Sequence, residues 1–291
     1  LERTDPDPPG ANKRAALVLG TFDADRPTLV QVPAQVCHIA WHPDGEAMFV
    51  ALMDGTIQKV NLDGAVTEID RLRALGLVLA VAPDGASLAV GSSDGLVRVI
   101  ELATGRHRDL GHHRQAVSAL AYSRAGLLAS GSRDHTFRIW RPSDGTSRSF
   151  QASGGGVLHL GFSPDAQTLF VSNLAESSVR RWDVDSGEQL APLVGVSGPL
   201  SGFTLSDDGG RVLARSVDGT SRLFDVATGK SRALVGHRDE VVAGAFTLGG
   251  KQIVTLGREG TVRAWPDDLP ETMPELRAWL DAATPDRLEP R

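Results

Sequence analysis

The sequence predicts an all-β fold built from six repeats, and three sets of turn residues support this prediction. The first set ends a turn that resembles Pro-Asp-Gly, at Gly45, Gly85, Gly126, Ala166, Gly209 and Gly250. The second set is an acidic residue, at Asp54, Asp94, Asp134, Glu176, Asp218 and Glu259. The third set closes a later turn, at Gly64, Gly105, Gly145, Gly187 and Gly229. Each set recurs every 40 to 43 residues, so the three markers share one period.

Short segments between these turns have the pattern of β-strands. Segments such as "LLASGSRD" and "TFRIW" alternate apolar and polar residues and are bounded by turn residues. A repeat of about 40 residues that holds four short strands is typical of a β-propeller blade. Because one blade cannot bury both of its faces, blades must stack to form a core. We therefore predict a propeller over residues 15–268.

The chain enters this pattern part-way through a repeat. Counting one period back from Asp54 reaches Arg14, and the next segments, "AALVLGTF" and "PTLVQVP", fit the third and fourth strands of a partial N-terminal blade. A seven-blade parent is favoured, with two more strands expected upstream of Leu1. A six-blade ring, in which residues 28–32 complete repeat six, stays open.

Both ends of the chain differ from the repeats. Residues 1–14 are polar and rich in proline, which predicts a flexible linker. Residues 269–291 are predicted to form a C-terminal helical tail. Thr272 and Glu275 have the spacing of a capping box, and an apolar stripe follows at Leu276, Trp279 and Leu280. This tail is expected to pack on the propeller, with docking to a partner as the alternative.

The composition limits the class of function. The 291 residues carry a formal net charge of −6, which argues against nucleic acid and acidic membranes as partners. Cys37 is the single cysteine, so no intrachain disulfide can form. No apolar run is long enough to span a bilayer, and no signal peptide is recognised. We expect a cytoplasmic protein and a monomer.

Repeat three resembles the WD-repeat family, because Gly111-His112, Ser130, Asp134 and Trp140 stand at the spacing of that family's signature. The resemblance implies that the histidine, serine, aspartate and tryptophan form a buried hydrogen-bond chain within the blade. Repeats six and four keep parts of this set, at His237, Thr255, Glu259 and Trp265, and at Ser172, Glu176 and Trp182. Repeats one, two and five have Val60, Ile100 and Phe224 in place of the tryptophan.

The resemblance also implies a noncatalytic scaffold that binds a protein or peptide on the loop-bearing face. That face includes the residue before each acidic turn residue, namely Met53, Ser93, Arg133, Ala175, Val217 and Arg258. The adjoining loops add His113, Arg114, Gln115, Arg238, Asp239 and Glu240. The tail is loosely similar to those that follow propellers in large bacterial signalling proteins, so a bacterial domain of a multidomain signalling protein is expected.

Enzymatic chemistry has little support in the sequence. His107, His112 and His113 lack the further ligands that a metal site needs, and Gly154-Gly155-Gly156 precedes a strand instead of a phosphate-binding helix. We expect no catalytic set, no metal and no cofactor. The rival hypothesis is an enzyme or small-ligand binder that uses the central channel of the propeller. In the first strands, however, His38 and His159 are the only histidines, and no acidic residue is present.

Overall fold

A computed structural model describes residues 15–19, 28–152, 154–247 and 252–266. Within these ranges, side chains are described for residues 30 to 265. Every regular element in this part of the chain is a β-strand. The strands form seven antiparallel sheets, of which five have four strands, one has three and one has two. The all-β propeller-blade prediction is therefore confirmed. The chain divides into two compact units, Leu1–Pro192 and Leu193–Arg291.

Unit one begins with the predicted partial blade, a hairpin of β1 (Ala15–Leu19) and β2 (Thr28–Val32). The two strands pair from Ala15 opposite Val32 to Leu19 opposite Thr28. Val30 and Val32 of β2 are buried against Met48, Val50 and neighbouring residues of the next sheet. Residues 28–32 thus pair with β1 in a two-stranded sheet, as the seven-blade alternative requires.

Four complete blades follow in unit one, and each is an antiparallel sheet in chain order. Blade one contains β3 (Val36–Trp41), β4 (Ala47–Leu52), β5 (Thr56–Asn61) and β6 (Val66–Arg71). Blade two contains β7 (Gly76–Val81), β8 (Ser87–Ser92), β9 (Leu96–Glu101) and β10 (His107–His112). Blade three contains β11 (Val117–Tyr122), β12 (Leu128–Ser132), β13 (Thr136–Arg141) and β14 (Thr146–Gln151). Blade four contains β15 (Val157–Phe162), β16 (Thr168–Asn173), β17 (Val179–Asp183) and β18 (Gln189–Leu193).

Unit two holds blades five and six. Blade five contains β19 (Leu200–Leu205), β20 (Arg211–Ser216), β21 (Thr220–Asp225) and β22 (Ser231–Val235). Blade six contains β23 (Val241–Phe246), β24 (Gln252–Gly257) and β25 (Val262–Pro266). Its sheet has three strands among the described residues.

The core of unit one lies between successive blades. First strands of neighbouring blades contact each other, as β3 does with β7, β7 with β11, and β11 with β15. Fully buried side chains such as Phe49, Leu88, Phe137 and Trp140 fill the spaces between the sheets. Burial of one such large side chain stabilises the fold by about 1.5–3 kcal/mol relative to an exposed one. Stacking therefore supplies the core that one blade lacks.

Each first strand carries a β-bulge near its start. The register shifts between Val36 and His38 in blade one, and at the corresponding place in the five other blades. A bulge adds one residue opposite a single partner and bends its strand. In blade three the bulge residue Ser118 donates its hydroxyl to the carbonyl of Val157 in blade four, at 2.5 Å. The bulge thereby links successive blades.

Two sequence predictions lie outside the described residues, the flexible linker at 1–14 and the C-terminal helical tail at 269–291. Among the residues that the structure describes, no helix has the length and apolar character needed to cross a membrane.

Candidate interaction face

In blades one, three and five, the aspartate of the turn between the second and third strands holds that turn. In blade one, Asp54 Oδ1 accepts a hydrogen bond from the backbone N–H of Thr56 at 3.0 Å. Asp134 and Asp218 accept the same bond from Thr136 and Thr220, each at 2.9 Å. Such a side-chain bond two residues along the chain is an Asx turn, which fixes the backbone locally. The turns on this face therefore present their side chains from a rigid base.

The residue before the turn is tied to the loop that precedes the first strand. Met53 N–H donates to Gln35 O at 2.9 Å, and Arg133 N–H donates to Ala116 O at 3.0 Å. Ser93, Val217 and Arg258 make the equivalent bond to Leu75, Pro199 and Glu240. In blade four the donor is Leu174, which bonds Gly156 O at 3.0 Å. The position predicted at Ala175 thus belongs to Leu174, because the turn of blade four is longer.

Several side chains at this position are exposed and apolar or cationic. In unit one Met53 is 45% exposed and Leu174 is 53% exposed. Arg133 lies between them in chain order and is exposed, and its side chain makes no hydrogen bond or ion pair with any described residue. In unit two Val217 is 43% exposed, whereas the guanidinium of Arg258 forms an ion pair with Glu240 at 2.5 Å. Arg258 is therefore less available to a partner than Arg133.

The loop before blade three adds two exposed side chains to the face of unit one. Arg114 and Gln115 are both exposed, and their backbone groups bond Asp134 Oδ2 and Ser132 Oγ. Their side chains remain without a partner among the described residues. In unit two, Arg238 and Asp239 are exposed at the corresponding loop. Arg114 and Gln115 are thus exposed on unit one, and Arg238 and Asp239 on unit two. His113, which was predicted for the same face, is buried.

His113 corrects two predictions at once, since it is 3% exposed and occupies the histidine position of blade three. Its Nε2 bonds Ser130 Oγ at 2.7 Å, and its Nδ1 bonds Thr136 Oγ1 at 3.0 Å and lies 3.5 Å from Asp134 Oδ2. Trp140 Nε1 donates to the same Ser130 hydroxyl at 2.8 Å. His112, which was predicted for this role, is exposed at the end of β10. His113 therefore cannot contact a partner, and His112 is not part of the hydrogen-bond chain.

Burial makes His113 a neutral side chain. Desolvation lowers the pKa of His113 to about 4, and the charge of Arg138 acts in the same direction. Asp134 offsets part of this effect, while the pKa of Asp134 is itself lowered by the hydrogen bonds from Thr136 and Arg114. A neutral imidazole has one donor and one acceptor nitrogen, which matches two hydroxyl partners. The chain of bonds thus holds the loop, the second strand and the turn together.

Blade six builds a similar chain from different residues. Trp265 Nε1 donates to Thr255 Oγ1 at 2.8 Å, and His237 Nε2 bonds the same hydroxyl at 2.7 Å. Glu259 Oε1 lies 2.7 Å from His237 Nδ1 and accepts a short hydrogen bond from Thr261. The bonds from Thr261 and His237 lower the pKa of Glu259 to about 2. Glutamate therefore takes the place of the usual aspartate in this blade.

Blade four has no such chain. Ser172 Oγ and Trp182 Nε1 are buried, and neither has a hydrogen-bond partner in the part of the chain that the structure describes. Glu176 instead pairs with Arg180, at 2.6 and 2.7 Å. A Cβ at Gly154 would lie 2.2 Å from Glu176 Oε1, so glycine leaves room for this glutamate. Val171 stands opposite Leu160 as Ser130 stands opposite Leu120, so the predicted Ser172 lies one residue beyond the serine position. The predicted set Ser172, Glu176 and Trp182 is therefore wrong at its serine, and no hydrogen-bond chain joins these residues.

Three blades replace the chain by apolar packing. Val60, Ile100 and Phe224 stand where the tryptophan would be, and each is at most 1% exposed. Val60 packs in the cluster with Val30 and Met48, and Ile100 packs with Leu88 and Val90. An apolar side chain carries no polar atom that could be left unpaired, so these blades lose the bonds without that cost.

The first strands offer little chemistry. Among the residues that the structure describes, no three His, Cys, Asp or Glu side chains are grouped as a metal site would require. His38 Nδ1 accepts a bond from the backbone N–H of Leu79 at 3.3 Å, and burial lowers the pKa of His38. His38 thus links blade one to blade two.

Two segments of the chain match a known family of repeats. Residues 28–59 and 106–141 match the family model described as WD domain, G-beta repeat. The chain thus contains two segments that are similar to WD40 repeats. It resembles the guanine nucleotide-binding protein subunit beta of Oryza sativa subsp. indica, with 25% identity over 276 residues that cover 86% of this chain and 73% of that protein. The Arabidopsis thaliana subunit is 26% identical over 280 residues, which cover 88% of this chain and 74% of its own.

Two further similarities concern a part of the sequence and the fold. The Periodic tryptophan protein 2 homolog of Neurospora crassa is 35% identical over 146 residues, or 49% of this chain and 16% of that protein. The crystal structure of the computationally designed Ika8 protein superposes with a TM-score of 0.70 at 24% identity, covering 81% of this chain and 72% of that one. The latter supports the fold alone.

Proposed function

We propose that this WD40-repeat protein is a noncatalytic scaffold that binds a protein or peptide through its loop-bearing face. The observation that carries the proposal is the repeated backbone bond that sets Met53, Arg133 and Leu174 at equivalent, exposed positions in unit one. The similarity to G-protein beta subunits supports a role in protein interaction. Because these bonds already fix the backbone of the turns, the backbone loses little conformational freedom on binding.

The side chains on this face favour a particular partner chemistry. Met53 and Leu174 offer adaptable apolar contact, while Arg133 and Arg114 offer guanidinium groups without intramolecular partners. A guanidinium binds carboxylates with two parallel hydrogen bonds, and arginine is enriched among residues that dominate binding energy. The fitting partner segment is therefore acidic, with one or two apolar side chains.

The test is selection from a random-peptide display library against the purified chain. Enriched peptides are expected to combine Asp or Glu with Leu, Phe or Met, and their affinity is measured by fluorescence anisotropy. Arg133→Glu should weaken binding about tenfold or more, since loss of a hot-spot contact typically exceeds about 1.4 kcal/mol. Leu174→Asp should weaken it as well.

Arg124→Glu is the matched control for this experiment. Arg124 is an exposed arginine of the same blade, but it lies in the turn between the first and second strands, away from the face. The proposal would fail if Arg133→Glu bound the selected peptides as tightly as the wild type, or if Arg124→Glu lost binding to the same extent. Thermal unfolding of each variant establishes that it is folded.

We also propose the other features that the sequence predicts. These are a cytoplasmic monomer within a multidomain, bacterial signalling protein that binds neither nucleic acid nor membrane and uses no cofactor. Size-exclusion chromatography with light scattering tests the monomer. A filter-binding assay with duplex DNA tests the nucleic-acid prediction, because the exposed arginines would also attract phosphate.

A further inference from the structure

Arg138, on the third strand of blade three, has no acceptor for its guanidinium among the described residues. Its Nε is buried and makes no hydrogen bond, while the side chain as a whole is half-buried. The guanidinium lies over the ring of Trp140, with Cζ 5.5 Å from the ring centre. An arginine stacked on an aromatic face keeps its N–H edge free, and a buried donor without an acceptor is costly. Arg138 is therefore a positioned cation that lacks an anion.

Blade two shows which groups are missing around Arg138. Arg98 is its counterpart, because each arginine lies two residues before the tryptophan position of its blade. Asp109 stands opposite Arg98 on the fourth strand and accepts bonds from its Nε and Nη2, at 2.6 and 3.1 Å. Asp70 of the preceding blade accepts a bond from Arg98 Nη1 at 3.1 Å. Two carboxylates thus hold the guanidinium of Arg98.

The corresponding positions around Arg138 carry no charge. Ser149 stands opposite Arg138 on the fourth strand of blade three. In blade two, Gly111 has the place that Asp70 has in blade one, because each residue follows the bulge of its fourth strand. A Cβ at Gly111 would lie 3.9 Å from Arg138 Nη1, so this nitrogen faces the glycine. The site of the carboxylate from the preceding blade is therefore left open beside Arg138.

This open site adjoins the loop-bearing face. Gly111 lies near the end of β10, next to the loop that presents the exposed Arg114. We infer that a carboxylate of the acidic partner segment binds Arg138 beside Gly111, as Asp70 binds Arg98. The inference rests on the proposed function for the class of partner, and it adds an anchor at the flank of the face. A charge-assisted pair is stronger at a half-buried site, because water screens the two charges less there.

Ser149→Asp is the variant that tests this site, because it places a carboxylate opposite Arg138 as Asp109 stands opposite Arg98. The new carboxylate should pair with the guanidinium, raise the melting temperature and exclude an external carboxylate. The probe is a fluorescent hexaglutamate peptide, titrated into the full chain at low ionic strength while anisotropy is recorded. Its dissociation constant should rise about tenfold or more in Ser149→Asp and in Arg138→Gln, since each removes a charge-assisted contact.

Ser143→Asp is the matched control for the added charge. Ser143 is exposed in the turn between β13 and β14, at the other end of the same blade from Arg133. Equal dissociation constants for Ser149→Asp and Ser143→Asp, or no saturable binding of the probe to the wild type, would overturn the inference. If Ser149→Asp did not fold, Arg138→Gln would decide the site in the same titration.

Arg133→Glu separates this inference from the proposed function. If Arg133→Glu weakened binding of the probe and Ser149→Asp did not, the loop-bearing face would bind acidic segments without an anchor at Arg138, and the inference would be overturned. If Ser149→Asp alone weakened binding, the carboxylate site at Arg138 would stand, and the assignment of Arg133 to the partner site would fail.

Discussion

Trp140 Nε1 donates a hydrogen bond to Ser130 Oγ at 2.8 Å, and both side chains are almost completely buried. The same hydroxyl bonds His113 Nε2 at 2.7 Å. One small side chain on the second strand thus satisfies groups from the third strand and from the loop that enters the blade. Its removal would leave both of them without a partner.

Ser130→Ala is expected to lower the free energy of unfolding by about 2–5 kcal/mol, because each buried group left unpaired costs about 1–3 kcal/mol. Ser172→Ala is the control, since Ser172 is a buried serine on the second strand of blade four whose hydroxyl has no partner among the described residues. That variant should change the free energy by less than about 1 kcal/mol or stabilise the fold. Urea unfolding measures both, and equal losses would contradict the assignment.

The stability should depend on pH through His113. Its pKa is lowered to about 4 in the folded chain, against 6.5 for an ordinary histidine, so the unfolded chain binds more protons between these values. The contribution is complete above pH about 6.5 and is lost as the pH falls to about 4; it amounts to roughly 3 kcal/mol. The measurement is the slope of unfolding free energy against pH in the wild type and in His113→Gln. Equal slopes, or an NMR titration of His113 near 6.5, would refute this.

Gly95 and Gly105 should respond differently to alanine although both have positive φ, of 91° and 70°. A Cβ at Gly95 would lie 2.3 Å from His113 O, whereas a Cβ at Gly105 would meet nothing within 4 Å. Gly105→Ala should cost about 1–2 kcal/mol from the left-handed backbone alone. Gly95→Ala adds an overpacking cost of about 1–3 kcal/mol. Similar melting temperatures of the two variants would show that the loop at His113 moves aside.

The fold could be predicted from the sequence because three turn markers repeat with one period, and each marker has a local physical cause. The histidine of blade three was misplaced by one residue. A register shift between Asp109 and Gly111 in β10 leaves His112 opposite Leu96 and brings His113 into the core. Two adjacent histidines give no local signal for such a bulge.

Blade four could not be predicted for a similar reason. The longer turn moves the equivalent position from Ala175 to Leu174, and Glu176 meets Arg180 across the turn. That ion pair depends on the path of a glycine loop, which spacing alone does not encode.

An ion pair between blades offers the last prediction. Arg98 of blade two contacts Asp70 of blade one at 3.1 Å and Asp109 at 2.6 Å, and the side chains of Arg98 and Asp70 are 14% and 10% exposed. Arg98→Met leaves the carboxylate of Asp70 with little water and no arginine, so it should cost about 2–4 kcal/mol.

The matched control is Arg106→Met, which breaks the pair with Glu101, whose side chains are 79% and 48% exposed. Solvent screens that pair, so its loss should change the free energy of unfolding much less than the loss of Arg98 does. Double-mutant cycles with Asp70→Asn and Glu101→Gln measure the two coupling energies by urea unfolding. If the coupling energy of Arg98 with Asp70 were no larger than that of Arg106 with Glu101, the ion pair between blades one and two would not stabilise the fold. Apolar packing alone would then hold these two blades together.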